Sequence, residues 1–141
     1  MTADANRQLV RAALQRVFGQ HNRSAVDEYF APSLAPAVRT HYDELIRGFP
    51  DLTVSVNEIL AEGDYVAARL TLRGTHRGPF AGVAATERAM TWGSMRFYRI
   101  ENDMVAETWA IQDRLGLFQQ LGLVQADIGG VSWAASPPRR E

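Results

Sequence analysis

The sequence predicts an α+β domain in which helices come first and a strongly curved, mostly antiparallel sheet follows and packs around them. Three observations carry that expectation. Apolar residues recur at helical spacing through the first third of the chain, they alternate with polar ones over 52–57, and short polar turns then separate about four extended runs. A chain of 141 residues falls in the range of one domain and can bury about two thirds of its unfolded surface.

From Asn6 to Gly19 the residues Leu9, Val10, Ala13, Leu14, Val17 and Phe18 make one stripe, with Arg7, Gln8, Arg11, Gln15 and Arg16 on the other side. Ser24 followed by Asp27 resembles a capping box ahead of Val26, Tyr29 and Phe30, and Pro32 stops the turn, so a short second helix is expected. Pro36 suits a first helical position, and Val38, Tyr42, Leu45 and Ile46 form a third stripe that ends at Gly48. Leu52, Val54 and Val56 then alternate with Thr53, Ser55 and Asn57, and Glu62-Gly63-Asp64 offers the turn into a second strand over 65–75. The loop Arg77-Gly78-Pro79-Phe80-Ala81-Gly82 leads to a strand near 89–100, and Glu101-Asn102-Asp103 returns the chain along 104–111. Leu115, Phe118 and Leu121 predict a last short helix closed by Gly122. Residues 1–126 are expected to form the domain, and 127–141, with Pro137-Pro138-Arg139-Arg140, a flexible tail.

Composition narrows the partners. A hydrophobic fraction of 46% with 22% charged residues is globular composition. Fifteen basic and sixteen acidic residues leave a net charge of −1, and the one basic pair at the end, Arg139-Arg140, makes no phosphate-backbone footprint, so nucleic acid is not an expected partner. The absence of cysteine removes disulfides, thiolate nucleophiles and Cys-type zinc sites and fits a reducing, cytoplasmic compartment. No signal-peptide run follows Met1, and no stretch approaches the roughly 20 apolar residues of a membrane span, so no membrane association is expected. His21, His41 and His76 show no metal-ligand spacing, and the G-x-S-x-G elbow is absent. Neither a metal nor a nucleophilic triad is expected.

Several phrases then carry a family resemblance. Gly74-Thr75-His76-Arg77-Gly78-Pro79-Phe80-Ala81-Gly82 resembles the G-T-H-x-G-x-F-x-G loop of SnoaL-like polyketide cyclases, and Glu107-Thr108-Trp109-Ala110-Ile111-Gln112-Asp113 is similar to their E-x-W-x-x-x-D pattern. Phe49-Pro50-Asp51-Leu52, Phe97-Tyr98-Arg99-Ile100-Glu101 and Leu117-Phe118-Gln119-Gln120-Leu121-Gly122 resemble further phrases in the same order, together spanning 49–122. The resemblance implies a cone-shaped α+β barrel with an internal cavity, shared with ketosteroid isomerase and nuclear-transport-factor-like proteins. It also implies cofactor-independent aldol ring closure of a polyketide-type substrate. A cofactor-independent oxygenase, an epoxide hydrolase, or a non-catalytic binding or dimerisation module of the same fold stay open, because fold alone does not select chemistry.

The resemblance singles out Asp113 as general acid/base. The residues themselves allow a second reading, since Asp at a strand–helix junction is a preferred N-cap. Strand parity puts Glu107, Trp109, Ile111 and Asp113 on one face, expected to be the cavity side. On the neighbouring strand Trp92, Arg96 and Tyr98 are the expected lining set, with Phe30 and Tyr42 contributed by the helices. His76, beside the Gly-Pro loop, is a candidate to orient substrate or hold an oxyanion, ahead of His41 and His21. Three departures from the pattern stand out: the common E-H-W phrase becomes Glu107-Thr108-Trp109, the T-G turn after the Gly-rich loop becomes Thr86-Glu87, and no histidine follows His76. The expected ligand is an apolar small molecule, and the bare outer face of such a sheet predicts a homodimer.

Overall fold

The computed structural model describes residues 2–124. The tail expected over 127–141, and the boundary at 126, lie outside them. Helix α1 (Ala3–Ala13) starts at Thr2, whose hydroxyl accepts the Ala5 N–H at 3.1 Å. Its ladder then widens into a π-helical turn, Leu14–Gly19, and Leu14, Val17 and Phe18 are all buried there. The buried Asn6 donates through Nδ2 to Gly63 O at 3.0 Å and so ties α1 to the first strand turn.

The capping box at Ser24 does not form. Its hydroxyl instead donates to Asn22 Oδ1 at 2.7 Å, and a 3₁₀ turn (Arg23–Ala25) runs into α2 (Val26–Tyr29) with no side-chain cap. Helix α3 (Ala35–Gly48) buries Val38, Tyr42 and Leu45 along one stripe.

Four antiparallel strands follow: β1 (Thr53–Glu62), β2 (Tyr65–Thr75), β3 (Ala89–Glu101) and β4 (Met104–Gln112), in the order β1-β2-β3-β4. β3 and β4 are joined by a tight turn in which Asn102 and Asp103 have φ of +51° and +58°, the positive pair that a two-residue hairpin turn needs. β1 and β4 do not pair with each other, so the sheet is curled but unclosed. Helices complete the cone: α1 and the π turn pack on β1, while the Ala31 N–H donates to Val105 O of β4 at 2.9 Å. Helix α4 (Arg114–Gln120) ends the described fold.

The core lies between the helices and the concave sheet face, where Val66, Leu70 and Leu72 of β2 meet Met90, Trp92 and Ile100 of β3. A bulge leaves Ala106 unpaired, since Arg99 pairs with Glu107 but Ile100 pairs with Val105. This sets the facing of β4 beyond it.

Candidate functional site

A cavity of about 280 Å³ opens between α3 and the concave face of β3 and β4. Phe18 of the π turn, Phe30, Leu34, Ala37 and Val38 form its apolar wall. Its polar wall is His41, Arg96, Tyr98, Thr108, Gln112 and Arg114. Gln112 and Arg114 also line a neighbouring groove of about 320 Å³ with Arg47, Phe80 and Leu117, so the two spaces meet at the end of β4.

Strand pairing explains the polar wall. Arg96 pairs with Ala110 and Tyr98 with Thr108, so all four share the concave face. His41 comes from the opposite side, one helical turn after Val38 on the buried stripe of α3. Arg96 Nη2 lies 3.0 Å from His41 Nε2. A guanidinium can only donate, so Nε2 is the acceptor and the imidazole is neutral. Burial first, then the positive charges of Arg96 and Arg114, push His41 down to about 4. Tyr98 is 2% exposed, and burial pushes its phenol up while Arg96 opposes that shift. The Tyr98 hydroxyl, Thr108 Oγ1 and Arg96 Nε are buried without a well-formed hydrogen bond. Groups of this kind cost free energy unless something meets them.

Of the residues expected to line the site, Phe30, Arg96 and Tyr98 do so. Trp109 does not. It is 48% exposed and sits with Ile111 on the convex face, because Thr108, Ala110 and Gln112 are the inward set of β4. The set Glu107, Trp109 and Ile111 shares one face as its parity predicts, but that face is the convex one: both sheet faces carry large apolar residues, and the bulge at Ala106 breaks the count from buried Val105. Trp92 points inward but packs on Phe49, with ring centroids 4.8 Å apart, outside the lining. Tyr42 packs against Phe18.

His76 serves the loop rather than the cavity. It is fully buried, its Nδ1 accepts the Thr86 N–H at 3.2 Å with Thr86 Oγ1 at 2.9 Å, and its backbone pairs with Arg88 and Glu87. The ring packs on Phe49. Asp113 is the N-cap of α4, its Oδ1 accepting the Gly116 N–H at 2.8 Å, and its carboxylate is exposed, though its chain neighbours Gln112 and Arg114 both line the cavity.

His41 and Thr108 are the lining groups the sequence ranked too low. The spacing Val38, His41, Tyr42, Leu45 was the available signal for His41, since it places the imidazole on the buried stripe. Among the described residues no three His, Asp or Glu side chains converge as a metal site, and no helix is long and apolar enough to cross a membrane.

A family model described as SnoaL-like polyketide cyclase matches residues 8–121. Among solved structures, TsrD from Streptomyces laurentii superposes with a TM-score of 0.81 at 24% identity, covering 88% of this chain and 99% of that one. IdmH from Streptomyces antibioticus, assigned as a polyketide cyclase, gives 0.72 at 25% identity over 83% and 98% of the two chains. AclR from Streptomyces galilaeus, assigned as a hydroxylase, gives 0.81 at 22% identity over 91% and 87%. No curated protein matches the chain.

Proposed function

This chain belongs to the SnoaL-like polyketide cyclase family, and on that premise we propose that it closes a ring in a polyketide-type substrate by a cofactor-independent intramolecular aldol reaction. One observation carries the reading. The Tyr98 and Thr108 hydroxyls, donors without a well-formed hydrogen bond, are buried on the polar wall of the cavity opposite Phe18, Phe30 and Val38, where an oxygen gaining negative charge would be held best.

In this reading Asp113 takes a proton from a carbon flanked by carbonyls. The enolate carbon then bonds to a second carbonyl carbon, and the resulting alkoxide recovers the proton from Asp113, so no atom or electron is gained or lost. Tyr98 and Thr108 hold the enolate oxygen, and the walls formed by Phe18, Phe30 and Val38 keep the chain folded for attack. The carboxylate must leave its cap on α4 to act, at a cost of about 1 kcal/mol, small beside the 10²–10⁴-fold usually supplied by a positioned acid/base.

The same capping bond favours a second reading, a binding module without catalysis, because Asp113 has no side-chain hydrogen-bond partner in the described conformation. Incubation with linear polycarbonyl compounds, as free acids and as esters, in the presence of a chelator, followed by mass spectrometry, separates the readings. Ring closure gives an isomer of unchanged mass or one lighter by water. Binding without conversion supports the module, and an oxygen-dependent gain of one oxygen atom points to oxygenation.

A further inference from the structure

Arg96 carries a positive charge that nothing in the described protein neutralises. A guanidinium is a fixed cation that donates hydrogen bonds and accepts none. The ion pairs of the described residues involve Arg7, Arg16, Arg23, Arg39, Arg69, Arg77 and Arg99, and Arg96 is absent from them. Its neighbours are neutral ones, His41 at 3.0 Å from Nη2 and the Tyr98 hydroxyl, its Nε is buried without a well-formed hydrogen bond, and Phe18 stacks near it with the guanidinium carbon 6.0 Å from the ring centre. Arg114, at the end of the same cavity, likewise has no ion pair with a described residue. Among the described residues no aspartate or glutamate lines the cavity itself, and the one acid of the groove it meets, Glu44, stands there beside Arg47 and Arg114.

A half-buried cation without a counter-charge costs a fold free energy that a bound anion offsets. Two guanidiniums facing a chamber without acids also raise its potential and favour negative solutes. We infer that the cavity takes a ligand that is already anionic on entry, a carboxylate, with its charge seated on the free Nε edge of Arg96 and Arg114 standing at the mouth. This rests on the reading of the cavity as the substrate site. It narrows the substrate from a polyketide-type molecule to a free acid, and it leaves Tyr98 and Thr108 for the oxygen whose charge appears only during reaction.

The full-length protein can be titrated calorimetrically at about pH 7.5 with 2-naphthoate and with 2-naphthamide, two probes of equal shape that differ in charge. The acid should bind at least about tenfold more tightly, the difference expected of one charge-assisted pair. Arg96→Met should erase that preference, and Arg96→Lys should keep part of it. If Arg96→Met does not fold, the Arg96 Nε–H resonance of the wild type decides, since it should shift with the acid and not with the amide. Equal binding of acid and amide, a preference that survives in Arg96→Met, or an unmoved Nε–H overturns the inference and leaves the cavity reading in place. Binding of neither probe overturns both.

Discussion

An imidazole buried beside a guanidinium is a poor place for a second proton, and His41 beside Arg96 is in that position. Its titration near 4, against 6.5 in an unfolded chain, makes folding pH-dependent. The neutral ring is favoured in the folded state, so its contribution is complete above pH about 6.5 and is lost as pH falls toward 4, by on the order of 2–3 kcal/mol. Asp43 and Asp51 titrate below that window, because hydrogen bonds from Arg23 and from the Thr75 backbone hold their carboxyls under the usual range. Urea unfolding at pH about 7 and about 4.5 should therefore show a loss in the wild type that is largely absent in His41→Gln, whose amide oxygen can still accept from Arg96. An equal loss in both would assign the pH dependence elsewhere. Asp113 is tested by a different contrast. Asn is about as good a cap as Asp, so Asp113→Asn should keep its thermal midpoint while losing on the order of 10²–10⁴ in turnover, whereas Asp113→Ala should also lose about 1 kcal/mol of stability. Unchanged turnover of Asp113→Asn on a confirmed substrate removes the acid/base role and leaves the cap. Position 108, where the family phrase commonly has histidine, faces the cavity as Thr108, and His41 brings an imidazole to the same chamber from α3. The pairing of those two walls is a tertiary fact, and no local pattern in the sequence announces it.

At the scale of elements, the phrases that resemble the family prove to be fastenings. Asp51 accepts the Thr75 backbone N–H and hydroxyl, each at 2.7 Å, joining the start of β1 to the end of β2. Gln120 of α4 pairs with Thr91 as a strand would, its Oε1 accepting at 3.0 Å and its Nε2 donating at 2.8 Å. The Gly-Pro loop lies against the end of α3, with Arg77 and Gly78 both donating to Gly48 O. A Cβ on Gly78 would lie 1.9 Å from the Arg47 carbonyl oxygen, so this backbone approach excludes a side chain. Gly78→Ala should cost about 1–3 kcal/mol, as overpacking against rigid backbone does. Gly93 on β3 meets nothing within 4 Å, and Gly93→Ala should be neutral or slightly stabilising by its effect on the unfolded chain. Thermal melts of the two variants test the pair, and a silent Gly78→Ala contradicts the close approach. Helix stripes and strand alternation made most elements legible, because both periods follow from backbone geometry. The facing of β4 was not legible, since Trp109 and Ile111 read as core residues until the sheet around them is seen.

At the scale of the molecule, the four strands leave one face uncovered. Leu60, Met95 and Ile111 are 70%, 61% and 78% exposed there, and Phe97 stands between Tyr65 and Trp109 with ring centroids 5.4 and 6.0 Å away. Leu60, Met95, Phe97, Trp109 and Ile111 line a groove of about 520 Å³ on the convex face, with Arg69 and Glu58 paired at its side. The helices are committed to the concave face, so nothing else in the described fold covers this one. A contiguous apolar patch is rare on a monomer. A second copy, related by a two-fold axis, would place the same row on both sides of the interface and bury it without any further partner. Light scattering at about 10 µM should thus give twice the chain mass. Ile111→Glu should return the mass to that of one chain, since it puts a charge where the two rows would meet. The cavity offers the control: Ile111 faces away from it while its neighbour Ala110 lines it, so 2-naphthoate affinity should survive in Ile111→Glu if each subunit carries a complete site. A wild-type monomer at that concentration refutes the dimer. A dimer that Ile111→Glu leaves intact moves the interface off this face and leaves the exposed row for another partner.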